Sequence, residues 1–523
     1  MYAEYKRKSN SIYLKNMYKE LKLQVKKEIK RTKKDYYCKI FQNAKNNQIN
    51  IWNTISELTV GKNSKQNTIK SMVIDGIKYT DKTEICNKIN HFFIHANETD
   101  IPRNSDYVHG SRASDRSIYI QKCTEDELNK IIQGINKNAA PGDDGITFWD
   151  IKILYNIIKL PLLNIINNAI LTATIPRECL VSKIIPLHKK GDKANPNNYR
   201  PIALTSVISK IMEKVIKNRI CTFLEISNHQ YGFQRNSSTM GATTDLVQNI
   251  SVGLDKKKYV VVVFVDLKKA FDHVDHDILL AKLVHMGIVG KALKFISTFI
   301  KKRIQYTTID DVTSESEPVL RGVPQGSVLG PLLYLLYVED LKSRNLLAQY
   351  YMFADDTALY YEGENLTTVQ NDINTDLIKF HKWLSENNLT MNFDKTVFIL
   401  FHQKNMENHS LNIELASHKI KQVSTYNYLG LNLDSKLNWN SHIQYMIHKL
   451  VPIVGAFYRI GPCINFTVKK MVYFAYIQSV LSYLINIWSH TSQYNINRLQ
   501  RTQNRAIKSI FCHTKLLQLI FSK

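Results

Sequence analysis

Three aspartates have the local sequence context expected of metal-binding carboxylates. Asp266 directly follows Tyr259–Val265, a continuous run of β-branched and aromatic residues. Such a run is typical of a strand that is buried on both faces. Asp355 and Asp356 stand between two apolar runs and are predicted to occupy the tight turn of a hairpin. If that hairpin pairs beside the strand, three carboxylates converge at one end of a sheet.

The chemistry of such a cluster follows from its charge. Like charges about 4 Å apart repel by about 1–4 kcal/mol at surface-like dielectrics. Cations would relieve that repulsion, and hard carboxylate oxygens select Mg²⁺ or Mn²⁺. Two such ions would activate a hydroxyl and stabilise the leaving oxygen of an in-line phosphoryl displacement. An Asp-Asp pair is also ordinary turn chemistry, so the prediction of phosphoryl transfer depends on both sites together.

The elements that must position these residues form a mixed pattern. From Cys123 onward helical patterns alternate with short β-rich runs, and after Trp439 the pattern is helical. An α+β fold is therefore predicted. Three domains are expected: a basic N-terminal extension and linker at 1–115, a central body at 116–435, and a helical C-terminal domain at 436–523.

The charge balance favours a polyanionic partner. The 523 residues carry a formal net charge of +25, and such a surface attracts phosphates. A solvated basic surface without that role is the alternative. The N-terminal extension has apolar residues at helical spacing, namely Leu14, Tyr18, Leu21, Val25 and Ile29. That basic helix could lie on nucleic acid or pack on its own domain.

No segment is expected to cross a membrane. The longest apolar stretches identified, 259–265, 331–338 and 473–488, are shorter than the roughly 20 residues of a membrane span. The polar, basic start of the chain is unlike a signal peptide. An intracellular protein without a membrane partner is therefore predicted.

Nine short segments, in order, resemble the reverse transcriptase of jockey-like non-LTR (LINE-type) retrotransposons. The likeness covers roughly residues 120–440. Any one segment is a weak signal, whereas the ordered set is specific. The segments lie at 137–145, 185–192, 198–202, 230–233, 264–272, 322–331, 353–356, 392–396 and 428–430.

The resemblance implies a right-hand polymerase. Fingers and a palm with an antiparallel sheet would occupy 116–435, a truncated helical thumb would occupy 436–523, and a helical extension would precede them. Members of this family usually carry an endonuclease ahead of the polymerase. None is recognised here, and residues 1–100 resemble the connecting segment instead.

By the same resemblance, Asp266, Asp355 and Asp356 would hold two Mg²⁺ ions, with Mn²⁺ as a substitute. The carbonyl of Leu267 would add a metal contact. Lys395 matches a lysine proposed to protonate the leaving pyrophosphate, although it could equally snorkel from a surface strand.

The resemblance also assigns residues to the incoming nucleotide. Arg200 and Lys189 would clamp the triphosphate, for which arginine is well suited, and an ordinary basic surface loop is the alternative for the lysine. Gln325 and Gly326 would line the pocket for the nucleotide and the template base. Phe271 would exclude a 2′-hydroxyl, or would be a core aromatic.

The implied primer grip, which would position the primer 3′ end, is formed by Tyr428, Leu429 and Gly430.

The implied function is RNA-directed DNA synthesis. The partners would be dNTPs, an RNA template and a DNA primer or target DNA, and the location would be nuclear and cytoplasmic. One alternative is a catalytically silent nucleic-acid-binding relic of a transposable element. Another is a neighbouring polymerase class. Phe271 argues against a viral RNA-dependent RNA polymerase, and a maturase would need an RNA-binding domain after the thumb.

Overall fold

The computed structural model describes residues 12–43, 52–57, 69–95, 115–135, 139–401, 411–460 and 464–511. The chain divides into two compact units, one of residues 67–429 and one that joins 1–66 to 430–523. The first two residues of the segment 137–145 lie outside the described residues. The described residues mix helices with sheets, which confirms the predicted α+β class.

The strands have the following bounds. They are β1 (Met72–Ile74), β2 (Ile77–Tyr79), β3 (Val181–His188), β4 (Tyr199–Thr205), β5 (Tyr259–Val265), β6 (Ile304–Ile309), β7 (Val312–Thr313), β8 (Glu317–Pro318), β9 (Gln349–Phe353), β10 (Asp356–Gly363), β11 (Val397–Phe401), β12 (Glu414–Leu415), β13 (His418–Lys419), β14 (Lys421–Gln422), β15 (Thr425–Tyr428) and β16 (Leu431–Asp434).

The α-helices have the following bounds, and residues 52–57 are also helical. They are α1 (Ile12–Asn43), α2 (Lys82–His95), α3 (Glu125–Gln133), α4 (Phe148–Thr172), α5 (Val207–Phe223), α6 (Thr239–Asp255), α7 (His276–His285), α8 (Gly290–Lys301), α9 (Gly330–Val338), α10 (Leu366–Glu386), α11 (Asn440–Ile460), α12 (Phe466–Val472), α13 (Ser479–Ser482), α14 (Ile485–Trp488) and α15 (Gln493–Phe511).

The central sheet of the larger unit has the strand order β14-β11-β5-β10-β9. Strand β5 runs antiparallel to both β10 and β11, and β9 runs antiparallel to β10. Six of the seven residues of β5 are buried, as expected of a central strand covered on both faces. Helices α6 and α10 pack against this sheet. The sheet therefore provides a rigid frame for whatever stands at the end of β5.

A second five-stranded sheet has the order β4-β3-β6-β7, with β8 added beside β6. Strands β3 and β4 form an antiparallel hairpin, and β3 runs parallel to β6. Helix α2 packs on β6 and β7. Its Ile85, Cys86 and Ile89 share a small core with Ile309. Residues 69–95 thus belong to this sheet rather than standing apart from it.

Among the residues that the structure describes, the regular elements of the smaller unit are helices and the strand β16. Helix α11 packs against α15 and against α1. Trp52 and Tyr476 lie with their ring centroids 5.9 Å apart. The basic N-terminal helix predicted from the sequence therefore forms, as α1, and contacts helices from the C-terminal part of the chain.

One helix among the described residues, α4, is long and apolar enough to cross a membrane. The expectation that every apolar stretch falls short of membrane length does not hold for it. It contacts α3, α5 and α8, and 22% of its most apolar window is buried. A single helix of this kind is weak evidence for membrane insertion, because core helices have the same length and composition.

Candidate active site

The end of β5 brings Asp266 to the edge of the central sheet. The backbone carbonyl of Asp266 accepts a hydrogen bond from the Asn392 amide at 2.8 Å. Asn392 also donates its Nδ2 to Asp266 Oδ2 at 2.9 Å. The segment before β11 thus fixes both the backbone and the carboxylate of Asp266. Leu267 pairs with Met391 in the same segment.

The β9–β10 hairpin brings Asp355 and Asp356 to the same edge. Its turn depends on Ala354, whose φ of 56° is left-handed. Thr357 pairs with Val265 across the two antiparallel strands. Asp356, which precedes Thr357, therefore stands beside Asp266, which follows Val265. The structure therefore brings the three predicted carboxylates together.

The electrostatics of this cluster reflect unbalanced negative charge. Burial raises the pKa of Asp356 to about 6, and the charges of Asp355 and Asp266 add to the effect. Burial and the charge of Asp266 also raise the pKa of Asp355. Because the three groups interact, the titration belongs to the cluster as a whole. A bound cation would offset these shifts, because it favours the ionised carboxylates.

Three cationic side chains face the cluster. Lys395 Nζ lies 3.3 Å from Asp266 Oδ2. Lys189 follows β3, and its amide donates to the Asn198 carbonyl at 2.8 Å, which continues the β3–β4 hairpin beside Arg200. Burial and the charge of Arg200 lower the pKa of Lys189. Arg200 and Lys189 both counter the charge of Asp355.

The loop between β8 and α9 carries Gln325 and Gly326 against β4. The Ala203 amide donates to the Gln325 carbonyl at 2.8 Å, and Gln325 Nε2 donates to Asp272 Oδ1 at 2.7 Å. Gly326 has a φ of 126°, and a Cβ there would stand 2.4 Å from the Ala203 oxygen. Only glycine fits this close approach.

Phe271 lies five residues beyond Asp266 and is half-buried. Its ring stacks on Tyr334 with centroids 4.4 Å apart, and Phe233 meets it edge-on at 6.1 Å. Burial and the charges of Asp355 and Asp356 raise the pKa of Tyr334. The aromatic group therefore adjoins the carboxylates, and Phe271 is only partly covered by it.

The residues predicted to grip a primer are Tyr428 and Leu429 of the larger unit and Gly430 of the smaller one. In the larger unit Tyr428 is buried, and its ring centroid lies 5.4 Å from that of Phe264 on β5. Burial and the charge of Asp356 raise the pKa of Tyr428. Leu429 and Gly430 both have positive φ, 46° and 89°, as a tight turn requires.

Gln230 and Gly232 support the catalytic turn, although sequence reasoning assigned them no role beyond the motif 230–233. Gln230 Oε1 accepts from the Gly232 amide at 2.8 Å and from the Ala354 amide at 3.1 Å. A Cβ at Gly232 would stand 2.4 Å from the Ala354 nitrogen. These two residues therefore hold the turn that presents Asp355 and Asp356.

Two buried charges support the loop that carries Gln325, and neither was predicted. The Glu213 carboxylate accepts from the amides of Val328 and Leu329 at 2.7 and 2.9 Å, and burial raises its pKa. Arg303 donates to the Gly322 carbonyl at 2.8 Å, and burial lowers its pKa to about 10. Glu213 lies within the helical pattern of α5 and Arg303 ends the basic run 301–303, and neither setting distinguishes a buried charge from an exposed one.

The site thus gathers three carboxylates and three cationic side chains at one end of the central sheet. Residues 187–433 match the family model described as reverse transcriptase (RNA-dependent DNA polymerase). Residues 187–433 are therefore a reverse transcriptase domain by this match, and the similar proteins are RNA-directed DNA polymerases of a transposon and a mobile element.

The similar proteins include three from Drosophila melanogaster. The probable RNA-directed DNA polymerase from transposon BS is 29% identical over 75% of this chain and 45% of its own length. The polymerase from mobile element jockey is 25% identical over 75% and 44%. The probable polymerase from transposon X-element is 27% identical over 73% and 43%. The chain thus matches less than half the length of these relatives.

Among solved structures, apo telomerase from Candida tropicalis, truncated from its C-terminal domain, aligns with 50% of this chain and 55% of its own. The TM-score is 0.35 and the identity is 11%. A likeness this weak carries no argument about the site.

Proposed function

We propose that the chain is an RNA-directed DNA polymerase that extends a primer 3′-hydroxyl with dNTPs by two-metal-ion phosphoryl transfer. The observation that carries the proposal is the convergence of Asp266, Asp355 and Asp356 at one end of β5, with Lys189 and Arg200 facing them. Carboxylates on one side and cations on the other suit a metal-bound triphosphate.

The donor set fits two Mg²⁺ ions, with Mn²⁺ as a substitute. Three acidic side chains offer hard oxygen ligands, and the raised pKa values of Asp355 and Asp356 reflect charge that cations would balance. Two ions bound there would make the primer hydroxyl a stronger nucleophile and stabilise the leaving oxygen. The carbonyl of Leu267 would complete the ligand set.

The cationic residues act on the triphosphate. Arg200 presents a guanidinium suited to two-point phosphate contact, and Lys189, partly desolvated beside it, adds a second charge. Lys395 is exposed and touches only the edge of the cluster through Asp266. It would give a proton to the leaving pyrophosphate once the nucleotide is bound.

The remaining residues select and orient the substrates. The half-exposed ring of Phe271 would occupy the space of a 2′-hydroxyl, so deoxynucleotides would be preferred. Gln325 and Gly326 would place backbone against the nascent base pair. Tyr428, Leu429 and Gly430 would position the primer end.

The partners that this activity requires are an RNA template and a DNA primer or target DNA. The proposed location is nuclear and cytoplasmic, as the life cycle of the related elements would require.

The decisive experiment is extension of a DNA primer on an RNA template with Mg²⁺ and dNTPs. We expect Asp355→Asn/Asp356→Asn to lower the rate by at least about 10³-fold, a loss of about 4 kcal/mol of transition-state stabilisation. Asp126→Asn, an exposed acid on α3, is the matched control and should leave extension unchanged.

The competing function is that of a binding relic. Folded wild-type protein that binds primer–template but does not extend it, with either metal, would overturn the proposed activity in favour of that reading.

A further inference from the structure

A second group of metal-ligand side chains lies away from the three aspartates. His91 and His95 stand one turn apart on α2, and Glu317 lies on β8. Glu317 Oε2 is 3.4 Å from His91 Nδ1 and 3.5 Å from His95 Nε2. The three ligand atoms all lie within 4.8 Å of one another.

The two distances to Glu317 match the spacing of ligand atoms around a zinc ion. Zn²⁺ binds His nitrogen and carboxylate oxygen at about 2.0–2.2 Å in a tetrahedron, so its ligand atoms stand about 3.4 Å apart. Two imidazoles and one carboxylate also suit Zn²⁺ better than Mg²⁺, which prefers oxygen alone. Three protein ligands would leave the fourth position to water.

The carboxylate is held in place by a buried amide. Asn90, on the same helix and fully buried, donates Nδ2 to Glu317 Oε1 at 3.1 Å. The Asn90 Oδ1 in turn accepts from Gln305 Nε2 at 3.3 Å and Thr307 Oγ1 at 3.1 Å. Glu317 therefore keeps Oε2 turned towards the histidines. Outer hydrogen bonds of this kind orient the ligands of protein metal sites.

The histidines also flank residues that line a cavity beside the active-site loop. Phe93 and Ile94, which lie between the two histidines, line a cavity together with Asp272 and Gln325. Phe92 lies under Lys269, with Nζ 4.5 Å from the ring centroid. An ion that joins α2 to β8 would fix the part of α2 that borders the loop carrying Gln325.

We propose that His91, His95 and Glu317 form a Zn²⁺ site that joins α2 to the second sheet. The site is separate from the catalytic carboxylates and does not depend on the polymerase activity. Its role is structural, because the ion would join two elements of the same unit that the Asn90–Glu317 hydrogen bond already links.

The test is a zinc titration of the full chain after chelation, in competition with a chromophoric chelator and with excess Mg²⁺ present. We expect wild-type protein to bind one Zn²⁺, and Co²⁺ at the site to give visible absorption. Glu317→Gln keeps the Asn90 contact and the side-chain volume, and should weaken Zn²⁺ binding by more than about 100-fold. His91→Ala should have the same effect.

Two controls make the result specific. His448→Ala removes an exposed histidine that bonds Gln444, and Asp355→Asn/Asp356→Asn removes the catalytic carboxylates. Both should retain Zn²⁺ binding. Absence of binding by the wild type would overturn the site and leave only His–Glu hydrogen bonds, and so would equal affinity in Glu317→Gln. Neither outcome bears on primer extension.

Discussion

The raised pKa of Asp356 makes metal binding dependent on pH. Its pKa is raised to about 6 by burial and by Asp355 and Asp266, so the metal-free protein holds a proton there between about pH 4 and 6. A metal must displace that proton. We therefore expect Mg²⁺ affinity to rise up to about tenfold per pH unit below about 6 and to level off above it.

The raised pKa of Asp356 also makes the stability of the metal-free protein depend on pH. Because the folded form binds the proton more tightly than the unfolded chain, the metal-free protein should lose stability as the pH rises from about 4 to 6. Thermal unfolding without metal, compared between wild type and Asp356→Asn, measures this effect. A pH dependence identical in the two proteins would contradict it.

Phe271 allows a test of sugar discrimination. Phe271→Val would open space beside the stacked ring of Tyr334. We expect the preference for dNTP over rNTP, measured as a ratio of kcat/KM values, to fall by roughly ten- to a hundredfold. Extension with dNTPs should continue. A ratio that does not change would assign the ring to the core alone.

Gln230 allows a test of how the catalytic turn is held. Gln230→Met keeps the side-chain length but removes the acceptor shared by Gly232 and Ala354, at a cost of about 1–3 kcal/mol. We expect kcat to fall while primer–template affinity stays within about twofold. Gln234→Met, which loses only a bond to the Ser227 carbonyl, is the matched control and should keep kcat.

At the scale of elements, the loop between β8 and α9 depends on its close approach to β4. Gly326→Ala would force a Cβ to within 2.4 Å of the Ala203 oxygen at a φ of 126°. We expect a loss of about 1–3 kcal/mol of stability and a raised KM for dNTP. Gly455→Ala, in α11 with nothing within 4 Å of its Cβ, should instead be neutral or stabilising. Equal behaviour of the two variants would contradict this account.

The strands that carry the aspartates could be predicted because their signals are local. A buried β-branched run ends at Asp266, and two apolar runs flank Asp355 and Asp356. The supports could not be predicted in this way, because they join distant parts of the chain. Gln230 lies 124 residues from Ala354, and Glu213 lies 115 residues from Val328. Spacing along the sequence carries no record of such contacts.

At the scale of the molecule, the charge of +25 makes a prediction about salt. Counterion release makes affinity for a duplex fall steeply as salt rises. If about six phosphates are neutralised, we expect primer–template affinity to drop by about 10³-fold between roughly 50 and 200 mM salt. Fluorescence anisotropy at several KCl concentrations measures this slope. A slope near zero would show that the basic surface does not bind the backbone.

The predicted domain boundaries at 115 and 435 rested on composition, and composition does not show which segments pack together. Residues 69–95 share a core with the second sheet, while α1 contacts α11. Both contacts join segments that are hundreds of residues apart in the chain. Local sequence patterns therefore could not predict either of them.

The register between β5 and β10 bears on how copies of such a gene decay. Successive residues of a strand face opposite sides of a sheet. In the present register Thr357 pairs with Val265. A single-codon deletion within β10 would shift this register and so move Asp356 away from Asp266. An intact reading frame is thus a poor guide to whether a copy is competent. The number of codons within β5 and β10 would be a sharper criterion, because it fixes the register that places Asp356 beside Asp266.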